Sequence, residues 1–234
     1  MRRNGFTPTF ALALSLCLCF ATVLTTTAQT TKNVGGTAFA LPDFENEILQ
    51  EINLARTRPQ DYAAYLEQLR PGFKGKLLRL SGSHEVETQE GTAALDEAIT
   101  FLKGAPQLNP YSVSRGMSLG ANLLVQEQGA KGLFGHKGAD GSLCDQRLGR
   151  FGRLTGSVSE NLSYGKLNAR HRVLTWIIDD GFASRGHRLS IFSRDFKLVG
   201  LSCGNHSQRT TMCVVAFAGG FDEKAAGGNG AQSF

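Results

Sequence analysis

Lys197-Leu-Val-Gly-Leu-Ser-Cys203-Gly-Asn-His-Ser-Gln-Arg209-Thr-Thr-Met-Cys213-Val-Val-Ala-Phe217 is the stretch whose reading decides the fold class. Its two arms, Lys197 to Cys203 and Thr211 to Phe217, are rich in Val, Leu, Thr and Phe, the residue types that fit a pleated surface. Gly204 to Arg209 joins them with turn-type residues, so the arms predict an antiparallel pair. That pairing brings Cys203 opposite Cys213, and in an oxidising compartment a disulfide is the expected outcome. Cys144 is then odd and is read as a buried thiol. No Cys-x-x-Cys spacing occurs, which disfavours a cysteine zinc site.

Upstream of this pair the periodicity is mostly helical. Phe44, Ile48, Leu49, Ile52 and Ala55 recur at three- and four-residue steps from Pro42, with Asp43 placed to cap, and Pro59 stops or kinks that helix. A second helix is expected around Asp61 to Leu69, a third over Thr92 to Lys103, and a fourth from Ser112 to Gln128. Residues 72 to 88 are rich in Gly, Ser and Lys and read as a loop; Gly129 to Gly141 is turn-rich. A β-like segment spans Ser157 to Ser163, and a helix runs from Arg170 to Asp179 with Val173, Trp176 and Ile177 on its core face. Helices first and an antiparallel unit last argue an α+β fold over a doubly wound parallel sheet.

The chain opens with Met1-Arg2-Arg3, an apolar run from Phe10 to Leu24, and small residues at Thr26 and Ala28. This is the layout of a secretory signal, and the run is too short for a membrane-spanning helix of ~20 residues. The expected organisation is a signal peptide at 1–28, a flexible segment at 29–41, one domain at 42–221 and a flexible tail at 222–234. Cleavage removes Arg2, Arg3 and no acid, taking the formal net charge from +5 to +3. The remaining charges are interleaved, which reads as a solvated surface and not as a nucleic-acid stripe. No transmembrane segment follows, a secreted or cell-envelope monomer is expected, and Asn205 is the freer of two glycosylation acceptors, the other being Asn161.

Four fragments carry chemistry: Phe134-Gly135-His136, Ser159-Glu160-Asn161-Leu162, Trp176-Ile-Ile-Asp179 and Arg185-Gly186-His187-Arg188. Two histidines and two acids suit a divalent cation, because neutral imidazole ligates zinc and carboxylates orient imidazoles from behind. Arg185 and Arg188 would keep His187 neutral, as a ligand requires. Two Gly-x-Ser-x-Gly matches, at Ser118 and Ser202, lie in a predicted helix and strand, where no nucleophile elbow forms. His84-Glu85 lacks the second histidine of a helical zinc motif.

Taken in order, the fragments resemble the CAP family, named for cysteine-rich secretory proteins, antigen 5 and pathogenesis-related 1 proteins, whose module is also called the SCP domain. The resemblance begins at Glu51-Ile-Asn53-Leu-Ala-Arg56 and runs through Leu108-Asn109-Pro110, the four fragments and the hairpin, covering residues 44 to 221. It is closest to the family's microbial branch. It implies a three-layer α-β-α sandwich with a central, mainly antiparallel sheet. It also implies a cleft tetrad of His136, Glu160, Asp179 and His187, with His136 and His187 as ligands for zinc or another divalent cation. Asp179 is one methylene shorter than the family's usual glutamate, and Asp180 is the other candidate for that place. The implied role is a non-catalytic module binding a lipid, a cell surface or a protein. One alternative is a metal-assisted hydrolase of peptides or cell-wall material with Glu160 as general base, and another is a structural extracellular protein.

Overall fold

The computed structural model describes residues 39–80 and 85–225. The expected signal peptide at 1–28, most of the segment expected to be flexible at 29–41, residues 81–84 with His84, and the tail from 226 lie outside the described residues. Among the described residues the helices are α1 (Asp43–Thr57), α2 (Pro59–Glu67), α3 (Thr92–Gly104), α4 (Arg115–Lys131), α5 (Cys144–Leu148), α6 (Ala169–Ile178) and α7 (Gly186–Ile191). The strands are β1 (Phe73–Lys74), β2 (Leu77–Arg79), β3 (Glu85–Glu87), β4 (Ser112–Val113), β5 (Gly152–Tyr164), β6 (Leu198–His206) and β7 (Thr210–Glu223). No described helix is long and apolar enough to cross a membrane.

The main sheet has the order β4-β6-β7-β5, with β6 and β5 both antiparallel to β7 and only the short β4 parallel to its neighbour. Strand β7 is buried on both faces, which explains why its sequence is a continuous apolar run and not an alternation. Cys213, Val215 and Phe217 point into the larger core with α1, α2, α3 and α6. Met212, Val214, Ala216 and Ala218 point the other way, against α4 and α5. Helices on both faces of a mainly antiparallel sheet are the expected α-β-α sandwich.

The hairpin forms as the residue types predict, and Cys203 and Cys213 are opposite in register and disulfide-bonded. Its turn is shorter than expected, because pairing continues to His206↔Thr210. Three other expectations are corrected. Within residues 72 to 88, read as a loop, the described segments Phe73–Lys74, Leu77–Arg79 and Glu85–Glu87 form a second sheet of order β1-β2-β3. Ser112 does not start α4: Ser112 and Val113 pair with β6, and Ser114 caps the helix by accepting the Met117 N–H at 3.1 Å. Tertiary pairing overrides helical periodicity there. Asp43 is the first helical residue and not the cap, and the Pro42 position carries no side-chain cap. Strand β7 also runs past residue 221, and the Lys224 N–H bonds the Phe151 carbonyl.

Asn53 and Arg56 hold the layers in register. Asn53 exchanges hydrogen bonds with the Tyr111 backbone, donating at 3.1 Å and accepting at 2.7 Å. The buried Arg56 donates to the carbonyls of Asn109, Ile191 and Ser193 and stacks on the Tyr111 ring at 3.7 Å.

Gly200 lies where α4 crosses β6: a Cβ there would overlap the Met117 carbonyl carbon and the Ser118 nitrogen. Gly200→Val is expected to lower unfolding stability by about 3 kcal/mol or more through overpacking against backbone. Gly104→Ala, whose Cβ meets nothing within 4 Å, is expected to stay within about 0.5 kcal/mol of the parent. Urea denaturation of the two variants measures the difference, and equal midpoints would refute the packing assignment.

Candidate functional site

His136 sits on the loop leaving α4, and three side chains fix that loop by its backbone. The buried Gln128 donates to the carbonyls of Gly135 at 2.6 Å and Lys137 at 3.0 Å, on either side of the histidine. Tyr164 accepts the Gly135 N–H at 3.0 Å and donates to Gln128. Arg147, on α5, donates to the carbonyls of His136 at 3.0 Å and Ser142 at 2.7 Å.

Glu160 projects from β5 between two partners. One carboxylate oxygen lies 2.9 Å from His136 Nδ1, and the other accepts from Arg147 Nη2 at 2.5 Å. The Glu160 and Arg147 side chains are 4% and 1% exposed, whereas that of His136 is 52% exposed. The acid is therefore a buried, doubly engaged carboxylate behind a solvent-facing imidazole. Cys144 stands beside it as the free cysteine expected, half-buried, its thiol pushed well above the ordinary range chiefly by burial and then by the Glu160 charge. Such a thiol is a poor nucleophile.

The second pair forms at the end of α6. Asp179 is its C-cap and takes a left-handed conformation, φ 54°. This turn aims the short side chain at α7: one oxygen lies 2.6 Å from His187 Nδ1, and the other accepts the His187 N–H at 2.8 Å. Backbone direction thus supplies the reach that the missing methylene removes. Asp180 faces away and accepts the N–H groups of Gln89 at 2.6 Å and Glu90 at 2.8 Å, so it is no partner of His187. Trp176 and Asn161 are scaffolding: the indole N–H bonds the Leu162 carbonyl, and the Asn161 amide bonds the His187 carbonyl.

Arg185 and Arg188 are both ion-paired with acids. Arg185 is bonded to Glu90 and Glu97 and donates to the Asp179 carbonyl. Arg188 donates to Glu97 and to the carbonyls of Ile177 and Ile178. The Arg185 contact holds Glu90 down at about 2 from its usual 4.5.

His136, Asp179 and His187 line one cavity of about 820 Å³, with Leu78, Leu80, Val86, Leu162, Trp176 and Ile178 among its apolar walls. Glu160 is not among the lining residues. Each histidine has its Nδ1 on a carboxylate, which leaves Nε2 as the remaining ring nitrogen, the arrangement that orients imidazole ligands in zinc sites. Among the described residues no group of three or more His, Cys, Asp or Glu stands together as a metal cluster. A cation held here would draw on the Nε2 atoms of His136 and His187, with water or bound-ligand oxygens at any remaining positions.

The sequence profile of the cysteine-rich secretory protein family, CAP, matches residues 51–217. The chain belongs to the CAP family. No curated protein matches it. Solved structures similar to it include an outer surface protein and an extracellular protein. The first is from Borrelia burgdorferi, with a TM-score of 0.41 and 18% identity over 50% of this chain and 80% of that one. The second contains a SCP domain and is from Bacillus anthracis, with a TM-score of 0.35 and 18% identity over 52% of this chain and 37% of that one. In this CAP domain, Arg147 and Gln128 were not legible as site residues, because both act on backbone carbonyls and carry no residue-type signature of their own.

Two outcomes follow from the site's electrostatics. Arg147→Met leaves Glu160 buried without its cation and is expected to cost about 3–5 kcal/mol of unfolding stability at neutral pH; a urea midpoint equal to the parent's would contradict that pairing. Glu90, with a folded pKa under its unfolded one, contributes stability that is fully present above about 4.5 and lost as pH falls through about 2. The Gly181 amide, which donates to Glu90 at 2.7 Å, is therefore expected to stay protected from hydrogen exchange at pH 4 and to lose protection near pH 2.

Proposed function

We propose that this CAP chain is an extracellular, non-catalytic binding module whose cavity is the ligand site. The observation that carries the reading is an apolar-walled cavity of about 820 Å³ onto which both histidines open while the acid behind each is already engaged. Ligand pockets have this character: mostly apolar walls, a volume of a few hundred to about 1,000 Å³, and a few convergent polar groups. The signal-like layout of residues 1–28 in the sequence and the Cys203–Cys213 bridge support an extracellular setting.

Glu160 supports binding over hydrolysis. A general base must lie within reach of the proton it takes, whereas Glu160 is 4% exposed, does not line the cavity, and has one oxygen on an imidazole and the other on a guanidinium. Its role in this reading is to orient His136 and to keep Arg147 paired. A zinc-like cation would take Nε2 of His136 and of His187 and would present a Lewis-acidic site to a polar ligand group.

Calorimetric titration of the mature chain with zinc is expected to show one bound ion, lost in His136→Ala/His187→Ala. Full retention of the metal in that double variant would remove the metal from the reading. With zinc present, peptide and peptidoglycan libraries are expected to remain uncleaved, and turnover that Glu160→Gln abolishes would replace the binding reading by the hydrolase.

A further inference from the structure

Three side-chain oxygens converge on Gly138, two residues after His136. The segment from Gly138 to Ser142 is a closed turn: the Gly138 N–H bonds the Ser142 carbonyl at 2.9 Å, and the Gly141 N–H bonds the Gly138 carbonyl at 2.9 Å. A Cβ placed on Gly138 would lie 2.7 Å from Glu127 Oε2, 2.8 Å from Ser142 Oγ and 3.0 Å from Asp140 Oδ1. Glu127 comes from α4 and the other two from the turn, so a helix and a loop together surround a space that the glycine leaves open.

Each oxygen has capacity left. Glu127 Oε2 accepts the Ala139 N–H at 2.8 Å, and Asp140 Oδ1 accepts the Ser142 N–H at 2.9 Å. A carboxylate oxygen has a second lone pair, so each can take a further partner. Asp140 Oδ2 accepts from Arg150 Nη2 at 2.6 Å, whereas Glu127 pairs with no cation among the described residues. Ser142, by its hydroxyl and amide, and then Arg150 hold the Asp140 carboxyl well below the usual carboxylate range, so it is ionised in neutral solution. Ser142 is 7% exposed, and its hydroxyl oxygen, although close to Asp140, is buried without a well-formed hydrogen bond. A buried hydroxyl left in that state is costly. A cation among the three oxygens removes the cost.

We infer that Glu127, Asp140 and Ser142 form a binding site for a hard divalent cation of calcium's size, additional to the histidine pairs. All three donors are oxygens, the ligand type that calcium takes, and calcium tolerates irregular geometry with water in its remaining positions. Magnesium demands a near-octahedral shell at ~2.0–2.1 Å, to which oxygens spread around a glycine Cα do not close. Zinc prefers nitrogen and sulfur, which this turn does not offer. The site also bears on the first histidine pair. Arg147 Nη1 bonds both the Ser142 and the His136 carbonyls, so a cation that fixes Ser142 steadies the loop carrying His136.

The test is calorimetric titration of the mature chain with calcium chloride. One ion is expected to bind with a Kd of about 10⁻⁴–10⁻³ M, as in extracellular modules, and magnesium chloride to bind about tenfold more weakly or worse. Glu127→Gln and Asp140→Asn each keep an oxygen for the N–H they accept, so the turn is preserved while a charge is removed. Each is expected to weaken calcium about tenfold or more. Gly138→Ala fills the space with a methyl at a backbone position outside the left-handed region, and the same loss is expected; should that variant unfold, the two carboxylate variants decide. His136→Ala/His187→Ala is expected to leave calcium affinity unchanged, and calcium is expected to slow hydrogen exchange of the Gly141 amide. No calcium binding up to about 10 mM, or affinity equal to the parent's in both carboxylate variants, would overturn the site. Loss of calcium in the histidine double variant would move the ion to the histidines and overturn it as well. Magnesium binding as tightly as calcium would overturn the assignment to calcium.

Discussion

Burial of β7 on both faces is the constraint from which the rest of the structure follows. A strand with Cys213, Val215 and Phe217 on one side and Met212, Val214, Ala216 and Ala218 on the other needs apolar cover twice. The α1-α2-α3-α6 layer supplies one cover and α4 with α5 the other. The close crossing of α4 over Gly200 shows how little slack the second cover has. With β7 fixed, β5 and β6 align along it, and Glu160, opposite Ala216, is placed on the sheet before any loop is considered.

The cleft is then assembled by residues that grip backbone. Gln128, Tyr164 and Arg147 hold the His136 loop through its carbonyl and amide groups. Asp179, turned out of α6 by its left-handed conformation, accepts the His187 N–H as well as its ring nitrogen. Buried Arg147 links the two tasks, because it bonds the His136 carbonyl and the Glu160 carboxylate together. Removing a partner from such a network leaves a buried charge or carbonyl unsatisfied, which is costlier than the bond itself is stabilising.

Legibility in the sequence follows the length over which a pattern repeats. The long helices and the hairpin were readable because periodicity and residue type extend over many positions. The acid behind each histidine was readable through family resemblance, and Asp179 takes the place left open between it and Asp180. The β1-β2-β3 wall was read as a loop, since strands of two and three residues among Gly, Lys and Ser give no period to detect. The short helix α5, with Arg147, left no signal for the same reason.

The amino-acid sequence by itself determined the α+β class and the Cys203–Cys213 pairing through local residue type and spacing, and it offered the order of the layers and the residues of the cleft through resemblance to the CAP family. Only the tertiary structure decided that Asp179 and not Asp180 reaches His187, that Glu160 is engaged at both oxygens, and that Phe73, Leu78, Leu80, Glu85 and Val86 line the cavity. Those features depend on one backbone dihedral and on contacts between segments distant in the chain, neither of which is written in any local run of residues.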